Sequence, residues 1–292
     1  MRTLDLASLD IFRAVVREGG VVRASARLNR VQSNVTTRIK HLEERLGVAL
    51  FRRQGRGLAL TEAGQTLLAY AERLLRLADE AEGAVRRAPL SATMRLGSME
   101  STAASRLPAL LSSFHKAEPD IGIDLRTGTS AGLIARVRDY ALDAALVGEP
   151  FDREGLEVLP VFAETLVLVT ERDAPPITRA ADLSALTLLV FAEGCSYRRV
   201  VHDWLARDSS APQRIIELAS YHAIIACASA GTGCGIAPLS VLGTLVSGET
   251  VRTHALPDGL GRNVTHLVWR APPSPALARL IAHFPPLGAG AA

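Results

Sequence analysis

The sequence predicts an all-α winged helix-turn-helix and one long helix, followed by an α/β region of two Rossmann-like subdomains. Three observations predict this fold class: short amphipathic helical patterns in residues 1–60, an unbroken helical pattern over 61–88, and apolar strands alternating with helices over 89–292. These three segments are the expected domains. The last one is longer than an average domain, so we expect it to divide in two. The expected subdomains are I (about 92–161 and 267–292) and II (about 162–266).

The charge of the chain is unevenly distributed. The formal net charge of +3 combines 12 Lys and Arg against 5 Asp and Glu in residues 1–60 with 21 against 25 in the remainder. A basic region beside hydrogen-bonding helices is typical of a DNA-binding module, because each phosphate that it neutralises releases counterions. Double-stranded DNA is therefore the expected macromolecular partner.

Several classes of protein are disfavoured by the composition. The chain has no run of 18 apolar residues, and Arg2 and Asp5 interrupt the N-terminal stretch where a signal peptide needs an apolar core. Its three cysteines, Cys195, Cys227 and Cys234, form no CxxC pair. We expect a cytoplasmic protein with no membrane partner, no metal, no disulfide framework and no cofactor.

The stretch 28–47 predicts an amphipathic helix that is central to the first domain. Val35, Ile39, Leu42 and Leu46 share one apolar stripe, and short polar side chains occupy the opposite side. Gln and Asn can pair with adenine, Ser and Thr can bond a base or a phosphate, and Lys can reach guanine or the backbone. The alternative is the solvated face of an ordinary surface helix. The predicted DNA contacts in this stretch are Arg30, Gln32, Ser33, Asn34, Thr36, Thr37 and Lys40.

Two shorter helices and a hairpin complete the predicted winged helix-turn-helix. Ser8 is expected to cap the first helix, and the second covers about 22–28. After Gly47, two short extended segments surround a turn at 55–57. A wing of this kind places arginines on flanking phosphates or in a minor groove. The further predicted DNA contacts are Arg23 on the second helix and Arg52, Arg53 and Arg56 on the wing.

The long helix over 61–88 carries an apolar repeat with steps of four and three residues, the spacing of a coiled-coil seam. This repeat predicts a homodimer that presents two helix-turn-helix units to a two-fold-related DNA site. The alternative is a helix that packs on its own chain, because alanines weaken such a seam. The members of the repeat are Leu67, Ala71, Leu74, Ala78, Ala81 and Val85.

Apolar strands are predicted from residue 94 onward, with helices between them such as 103–116, 133–140 and 197–206. Alternation at this spacing indicates mostly parallel sheets. In such sheets ligands bind beyond the carboxyl ends of the strands, often at helix N-termini. The predicted strands are 94–98, 121–127, 144–148, 166–170, 188–191, 215–218, 235–237 and 264–270.

Five of the expected strand ends carry candidate ligand contacts. Hydroxyls and Arg198 favour a carboxylate or similar anion, whereas Glu100, Glu149 and Glu193 favour an amino group. We therefore expect a small polar metabolite, of which a zwitterion is one case. The alternative for about half of these residues is a strand-end cap without ligand contact. The candidates are Ser98, Met99, Glu100, Ser101, Thr102, Thr127, Gly128, Thr129, Glu149, Phe191, Cys195, Arg198, Tyr221 and His222.

One block of the first 90 residues carries apolar, glycine and arginine residues at fixed offsets: Leu9, Phe12, Val15, Gly19, Arg23, Ala24, Leu28, Gln32, Val35, Ile39, Leu42-Glu43, Leu46-Gly47, Leu50-Phe51-Arg52-Arg53, Leu60-Thr61 and Ala63-Gly64. In these residues the chain resembles a LysR-type transcriptional regulator. The similarity continues more weakly through Leu142-Asp143, the strand 166–169 and Gly231–Gly233, so it covers essentially the whole chain. The chain departs from the family at Val31 and Ser33, where Ser and Pro are usual.

The resemblance implies a DNA-binding transcriptional regulator that is not an enzyme. Its sensor domain would be periplasmic-binding-protein-like, with a small-molecule effector in the cleft between the two subdomains. Family members are commonly homotetramers, built as dimers of dimers. Asn34 replaces a common Ala in the recognition helix, so the base preference of a relative does not transfer to this chain.

Other functions remain open on the sequence. Residues 128–132 fit the GxSxG pattern between a strand and a helix, which makes Ser130 a candidate nucleophile of a serine hydrolase. The α/β region alone also fits the solute-binding protein of a transporter. Cys195 is predicted at a helix start near Arg198, a setting that suits a thiol sensor, although packing is the simpler role. A regulator is the function we expect, because it uses all three parts of the chain.

Overall fold

The computed structural model describes residues 4–54, 57–86, 92–244, 251–257 and 259–287. Internal contacts group the chain into two compact units, 1–89 and 90–292. The predicted fold class is confirmed, since a winged helix-turn-helix and a long helix precede an α/β unit. The finer domain boundaries remain predictions.

The first unit is helical apart from one antiparallel hairpin. Its apolar faces meet in a core around Phe12, Val35 and Leu42, which are fully buried. The stripe predicted for the third helix therefore faces this core. The described elements are α1 (Leu6–Arg17), α2 (Val21–Arg27), α3 (Gln32–Leu46), β1 (Phe51–Gln54), β2 (Gly57–Leu60) and α4 (Glu62–Arg86).

The start of α1 differs from the prediction, because the cap is Asp5 and not Ser8. The Asp5 carboxylate accepts the backbone N–H of Ser8 at 2.8 Å, and the helix begins at Leu6. The bond from the Ser8 N–H, followed by the Ser8 hydroxyl and Arg45, lowers the pKa of Asp5 to about 2. A buried serine inside the first turn thus serves as donor to the cap residue.

The apolar residues of α4 are buried and exposed at positions that differ from the prediction. Leu67 and Ala71 are buried in the core of their own unit, together with Leu75, which the predicted seam omits. The exposed apolar side chains are instead Tyr70 and Leu74, 53% and 38% exposed, followed by Leu77 at 62%. The predicted seam is therefore wrong at Leu67 and Ala71. Val85 lies among side chains outside the described residues.

The second unit contains a mixed sheet covered by helices. Its described helices are α5 (Glu100–Ser105), α6 (Leu107–Ala117), α7 (Ser130–Arg138), α8 (Ser196–Arg207), α9 (Tyr221–Ser229), α10 (Leu239–Leu242) and α11 (Pro275–His283), with a 3-10 helix at Ala180–Ala185. Its described strands are β3 (Ala92–Ser98), β4 (Ile121–Thr127), β5 (Ala144–Gly148), β6 (Glu157–Glu171), β7 (Thr187–Val190), β8 (Arg214–Glu217), β9 (Cys234–Pro238), β10 (Val251–Ala255) and β11 (Arg262–Trp269).

The strand order is β4-β3-β5-β11-β6-β9-β7-β8, with β10 paired to β6. Parallel pairs occur toward both ends of this order, between β3 and its neighbours and between β7 and its neighbours. The central strands β6 and β11 pair antiparallel with each other and with their other partners. The expectation of mostly parallel sheets is thus correct only at the two ends.

The second unit contains two large hydrophobic cores and one smaller cluster, in which Leu133 of α7 packs with Val147 of β5 and Val268 of β11. The first lobe, defined by β3–β5, α5–α7 and α11, packs around residues such as Leu96, Phe114 and Leu146. The second lobe, defined by β7–β10 and α8–α10, packs around residues such as Leu189 and Ile224. Strand β6 runs through both, because Val161 belongs to the first core and Leu168 to the second.

Local differences from the predicted elements have local causes. The helix predicted over 103–116 is two helices, broken at Arg106, and Pro108 lies in the first turn of α6. Strand β6 begins at Glu157 and not near 166. The sequence did not predict its first half because Pro160 argues against a strand, yet this segment pairs with β11. Strand β10 was not predicted, because alternating polar residues weaken its apolar pattern.

Candidate functional site

The polar side of α3 is exposed at every predicted position. Gln32, Ser33, Asn34, Thr36, Thr37 and Lys40 are all exposed. The N-cap residue is Val31, and no side chain caps the helix. An uncapped helix N-terminus has free N–H groups and a positive dipole end, a combination that suits a phosphate.

Two of these side chains make contacts within the helix. The Thr36 hydroxyl donates to the Gln32 carbonyl at 3.0 Å, so toward DNA it offers acceptor lone pairs and a methyl group. Lys40 lies 3.7 Å from Glu44, and both side chains are exposed. Such a pair is weak, so a phosphate or base can compete for the ammonium group.

The arginines predicted to contact DNA differ in their partners. Arg23 is exposed, but its guanidinium donates to the carbonyls of Glu18 and Gly19. No ion pair within the described residues holds Arg30, Arg52 or Arg53, which are also exposed. Arg56 lies outside the described residues.

The wing is attached to α3 by one carboxylate. Glu43 Oε1 accepts the backbone N–H groups of Leu50 and Phe51 at 2.7 and 3.2 Å. These bonds fix the point where the chain leaves the helix and enters β1. Glu43 therefore positions the wing arginines relative to the polar side of α3. Its role is structural, since an acidic side chain does not bind phosphate.

A small cavity lies between the two lobes of the second unit. Its volume is about 20 Å³, enough for one water-sized group. The first lobe contributes strand and helix ends at 99–101 and 128–130, and the second lobe contributes Phe191, Cys195, Tyr197 and Tyr221. Eight predicted ligand contacts line it: Met99, Glu100, Ser101, Gly128, Thr129, Phe191, Cys195 and Tyr221.

Six predicted ligand contacts lie outside the lining. Ser98 and Thr102 are buried in the first lobe, and the Ser98 hydroxyl donates to the carbonyl of Met99. Glu149 pairs with Arg153 at 3.0 Å and lies 3.4 Å from His266. The remaining three are Thr127, Arg198 and His222. Ser130 and Tyr197, which belong to the same strand-end segments, also line the cavity.

Arg198 is held away from the cavity by its own partners. Its guanidinium donates to Glu217 at 2.6 Å and to the Phe191 carbonyl at 3.1 Å. It lines a separate outer groove of about 750 Å³ between α7 and α8. The expected pairing of Arg198 with a ligand anion in the cavity therefore does not fit this geometry.

The cavity wall carries one carboxyl group, that of Glu100. Burial raises the pKa of Glu100, while the hydrogen bond from the Tyr221 N–H and the nearby His222 lower it by less. Burial also raises the pKa of Tyr197, and the Glu164 carboxylate adds to this, so the phenol stays protonated. Burial likewise raises the pKa of Cys195, which argues against a reactive thiolate.

Several hydrogen bonds join the two lobes around the cavity. The Ala131 N–H donates to the Gly194 carbonyl at 3.1 Å, and the Ser130 hydroxyl donates to that of Ser196 at 3.2 Å. On another side, the buried Glu164 carboxylate accepts from Arg106 at 2.8 Å and from Ser240 at 2.7 Å. The lobes are thus linked by short polar contacts, which a ligand can exchange.

Comparison with known proteins decides the family. Residues 6–65 match the family model of the bacterial regulatory helix-turn-helix protein, lysR family, and residues 87–286 match the LysR substrate binding domain. The chain belongs to the LysR family. Its DNA-binding helix-turn-helix and its effector-binding domain make it a LysR-type transcriptional regulator, as the sequence predicts.

Similar proteins span nearly the full length of this LysR chain. The HTH-type transcriptional regulator GltR of Bacillus subtilis (strain 168) is 34% identical over 284 residues, 96% of each protein. A full-length variant of OxyR from Pseudomonas aeruginosa has a TM-score of 0.76 at 21% identity, covering 97% of this chain and 95% of that one. Full-length CbnR, complexed with its target DNA, has a TM-score of 0.69 at 24% identity, covering 96% and 99%. These two structures share the fold.

The serine hydrolase alternative is not supported for this LysR-type chain. Ser130 is buried at the start of α7, where its hydroxyl accepts the Gly148 N–H and donates to Ser196. No histidine of the described residues hydrogen-bonds to it. His254 and His266, which follow Ser130 in the chain, bond to other groups. Among the described residues, no helix is long and apolar enough to cross a membrane.

Arg38 is a candidate phosphate contact that sequence reasoning missed. It is exposed on α3 and, like Arg30, has no ion pair within the described residues. It projects beside His41, away from the side that carries Gln32. The signal available in the sequence was its position in the basic first domain.

Proposed function

We propose that this LysR-type regulator binds a two-fold-related DNA site as a homodimer and that a small polar metabolite between the lobes alters this binding. The recognition surface is the polar side of α3 with the wing. We also propose that the regulator works in the cytoplasm, because the proposed partner is bacterial chromosomal DNA.

The observation that carries the DNA-binding proposal is the combination of an exposed polar helix side with exposed cations around it. Gln32, Thr36 and Lys40 supply donors and acceptors for base edges. Arg52 and Arg53 extend from the wing, and Arg30 lies just before the uncapped N-terminus of α3. Phosphate contacts would fix the register, and the polar side chains would select the sequence.

The homodimer proposal is supported by the exposed apolar stripe on α4. Tyr70, Leu74, Leu77 and Ala81 are exposed and follow each other in steps of four and three residues. A stripe of this spacing can pack against a second copy of the same helix. We propose a dimer of dimers as the final assembly, as the family resemblance implies.

The effector proposal is supported by the cavity and by the polar bonds that join the lobes beside it. A ligand that exchanges these bonds for its own contacts changes the preferred closure of the lobes. Through the dimer helices such a change would alter how the two DNA half-sites are contacted and bent. Ser101, Thr129 and Tyr221 are among the proposed effector contacts.

The test is selection of bound sequences from a random duplex pool by the full-length protein, with and without a metabolite panel. We expect a pseudo-palindromic site whose binding or bending changes with one class of metabolite. A control variant carrying Gln32→Ala and Arg53→Ala should lose the selected sequence. Absence of binding to any duplex in low-salt buffer would contradict the proposal.

A further inference from the structure

The polar atoms of the cavity wall are unusually short of partners. Six buried side-chain atoms among the described residues make no hydrogen bond of good geometry, and three belong to the wall: Glu100 Oε2, Ser101 Oγ and the Tyr197 hydroxyl. Ser101 lies near the Tyr197 and Tyr221 hydroxyls and opposes the rise that burial causes in the pKa of both phenols. Buried polar atoms are rarely left without a partner, because each loses its bonds to water. Ser101 and Tyr197 are 2% and 1% exposed, so bulk solvent does not satisfy them.

The charge of the wall has one sign. Among the described residues that line the cavity, Glu100 is the only one with an ionisable carboxyl, and none is Lys, Arg or His. His222 approaches Glu100 from α9 but is itself exposed outside the lining. Arg198 of the outer groove is bound to Glu217. A ligand anion placed here would meet a carboxyl group with no cationic side chain of the wall to balance it.

Aromatic rings of the second lobe form another part of the wall. The rings of Phe191 and Tyr221 lie 4.7 Å apart at 50°, and Tyr197 lies on the same lobe. Aromatic faces attract cations, and the attraction grows where water is excluded. Glu100 accepts the backbone N–H of Tyr221, so the carboxylate and the aromatic rings lie in one small wall. Such a combination suits an ammonium group.

We propose that the effector carries a cationic amine, which enters this cavity and lies against the rings of Phe191 and Tyr221. The ammonium group donates hydrogen bonds to Glu100 Oε2 and to the hydroxyl oxygens of Ser101 and Tyr197. This inference rests on the proposed function and names the chemical class of its ligand. An ammonium group is close in size to water, so it fits the volume of about 20 Å³. The rest of the ligand extends toward the outer groove, which shares Ser130 and Cys195 with the cavity.

The raised pKa of Glu100 agrees with this geometry. Burial raises it, while the Tyr221 N–H and His222 act in the opposite direction. A cation that binds beside the carboxyl group would stabilise its charged form and reverse the effect of burial.

The test uses calorimetric titration of the full-length protein with linear amines from methylamine to hexylamine. Each amine is matched with the alcohol and the carboxylate of equal length, so that the apolar part is constant and only the head group changes. We expect amines to bind at least about tenfold more tightly than their matched alcohols and carboxylates. Tighter binding of the carboxylates, or no binding by any amine, would overturn the inference.

Four variants identify the side chains that bind the amine. Glu100→Gln should weaken amine binding by about tenfold, whereas Glu157→Gln, an exposed control on β6, should leave it unchanged. Phe191→Leu should weaken binding of the amines about threefold without weakening that of the alcohols. If Glu193→Gln in the outer groove removed amine binding and Glu100→Gln did not, the proposed site would be wrong.

DNA binding by the same preparations separates this inference from the proposed function. Wild type and Glu100→Gln should unfold at similar temperatures and shift the same duplex without ligand. A protein that binds duplex DNA but prefers carboxylates retains the proposed function and refutes only the amine. A protein that binds no duplex refutes the function.

Discussion

The backbone N–H of Ala131 donates a 3.1 Å hydrogen bond to the carbonyl of Gly194, and this bond joins the two lobes beside the cavity. Gly194 has φ +87°, and a Cβ there would meet Thr129 Oγ1 at 3.0 Å and Ala131 Cβ at 3.1 Å. Ser130 and Cys195, the residues next to this bond, line both the cavity and the outer groove. The bond therefore holds the two lobes together at the boundary between the cavity and the outer groove.

Gly194→Ala is expected to weaken the hydrogen bond between Ala131 and Gly194. The new methyl group needs both a left-handed backbone and space that Thr129 and Ala131 already occupy, which together cost about 1–3 kcal/mol. Hydrogen exchange of the Ala131 amide should become faster. The control is Gly155→Ala, which has a similar φ of +69° but no atom within 4 Å of its Cβ. Equal exchange at Ala131 in both variants would show that the close contact has no role.

Gln32→Ala and Arg53→Ala should affect DNA binding in different ways. Loss of the Gln32 amide is expected to relax preference at one base pair by about 1–3 kcal/mol. Loss of Arg53 should weaken binding to all sequences and reduce the salt dependence by about one phosphate contact. Binding titrations on single-base variants of the selected site, at several salt concentrations, separate the two effects. If Gln32→Ala and Thr36→Ala were both silent, the assigned side of α3 would be wrong.

Sequence periodicity predicted the features that depend on residues close together in the chain. The stripe of Val35, Ile39 and Leu42 follows from helical spacing, and all three are buried. Periodicity did not show which of two apolar stripes on α4 meets the core of its own unit, because Leu67 and Leu74 differ only in what packs against them.

The candidate site shows the same limit. Residues 99–101 follow β3 and residue 191 follows β7, and both segments line the cavity. The strand ends therefore indicated where these segments lie, while their contact with a ligand stays a prediction. Arg198 was assigned to the cavity by its position after β7, but Glu217 at the end of β8 holds it elsewhere. That contact depends on the pairing of β7 with β8, which no local pattern contains.

Leu74→Glu and Leu77→Glu on α4 should each convert the proposed dimer into monomers. Both side chains are exposed in the single chain, so the charge is expected to leave folding intact while it disfavours an apolar seam. Sedimentation velocity measures the change. Gln65→Glu is the control, since this exposed residue lies on the same helix but off the stripe. Dimers that persist in both leucine variants would place the interface elsewhere.

His254 should make the stability of the second lobe depend on pH. Its Nδ1 accepts the Ile177 N–H at 3.1 Å, so the proton lies on Nε2, which donates to Thr170 Oγ1 at 2.8 Å. Burial, with a smaller contribution from Arg252, lowers the pKa of this imidazole below its ordinary 6.5. The unfolded chain therefore binds the proton more readily than the folded one, and stability is full above pH 6.5 and falls as the pH decreases below it.

The expected slope for this one proton is at most about 1.4 kcal/mol per pH unit, measured by urea unfolding between about pH 5 and 8. Burial lowers the pKa of His266 in the same direction, so His254→Gln should remove only part of the dependence. His115→Gln, at an exposed position on α6, serves as the matched control. An unchanged slope in His254→Gln would contradict the assignment, because the Ile177 N–H can bond to His254 only while Nδ1 is free of a proton.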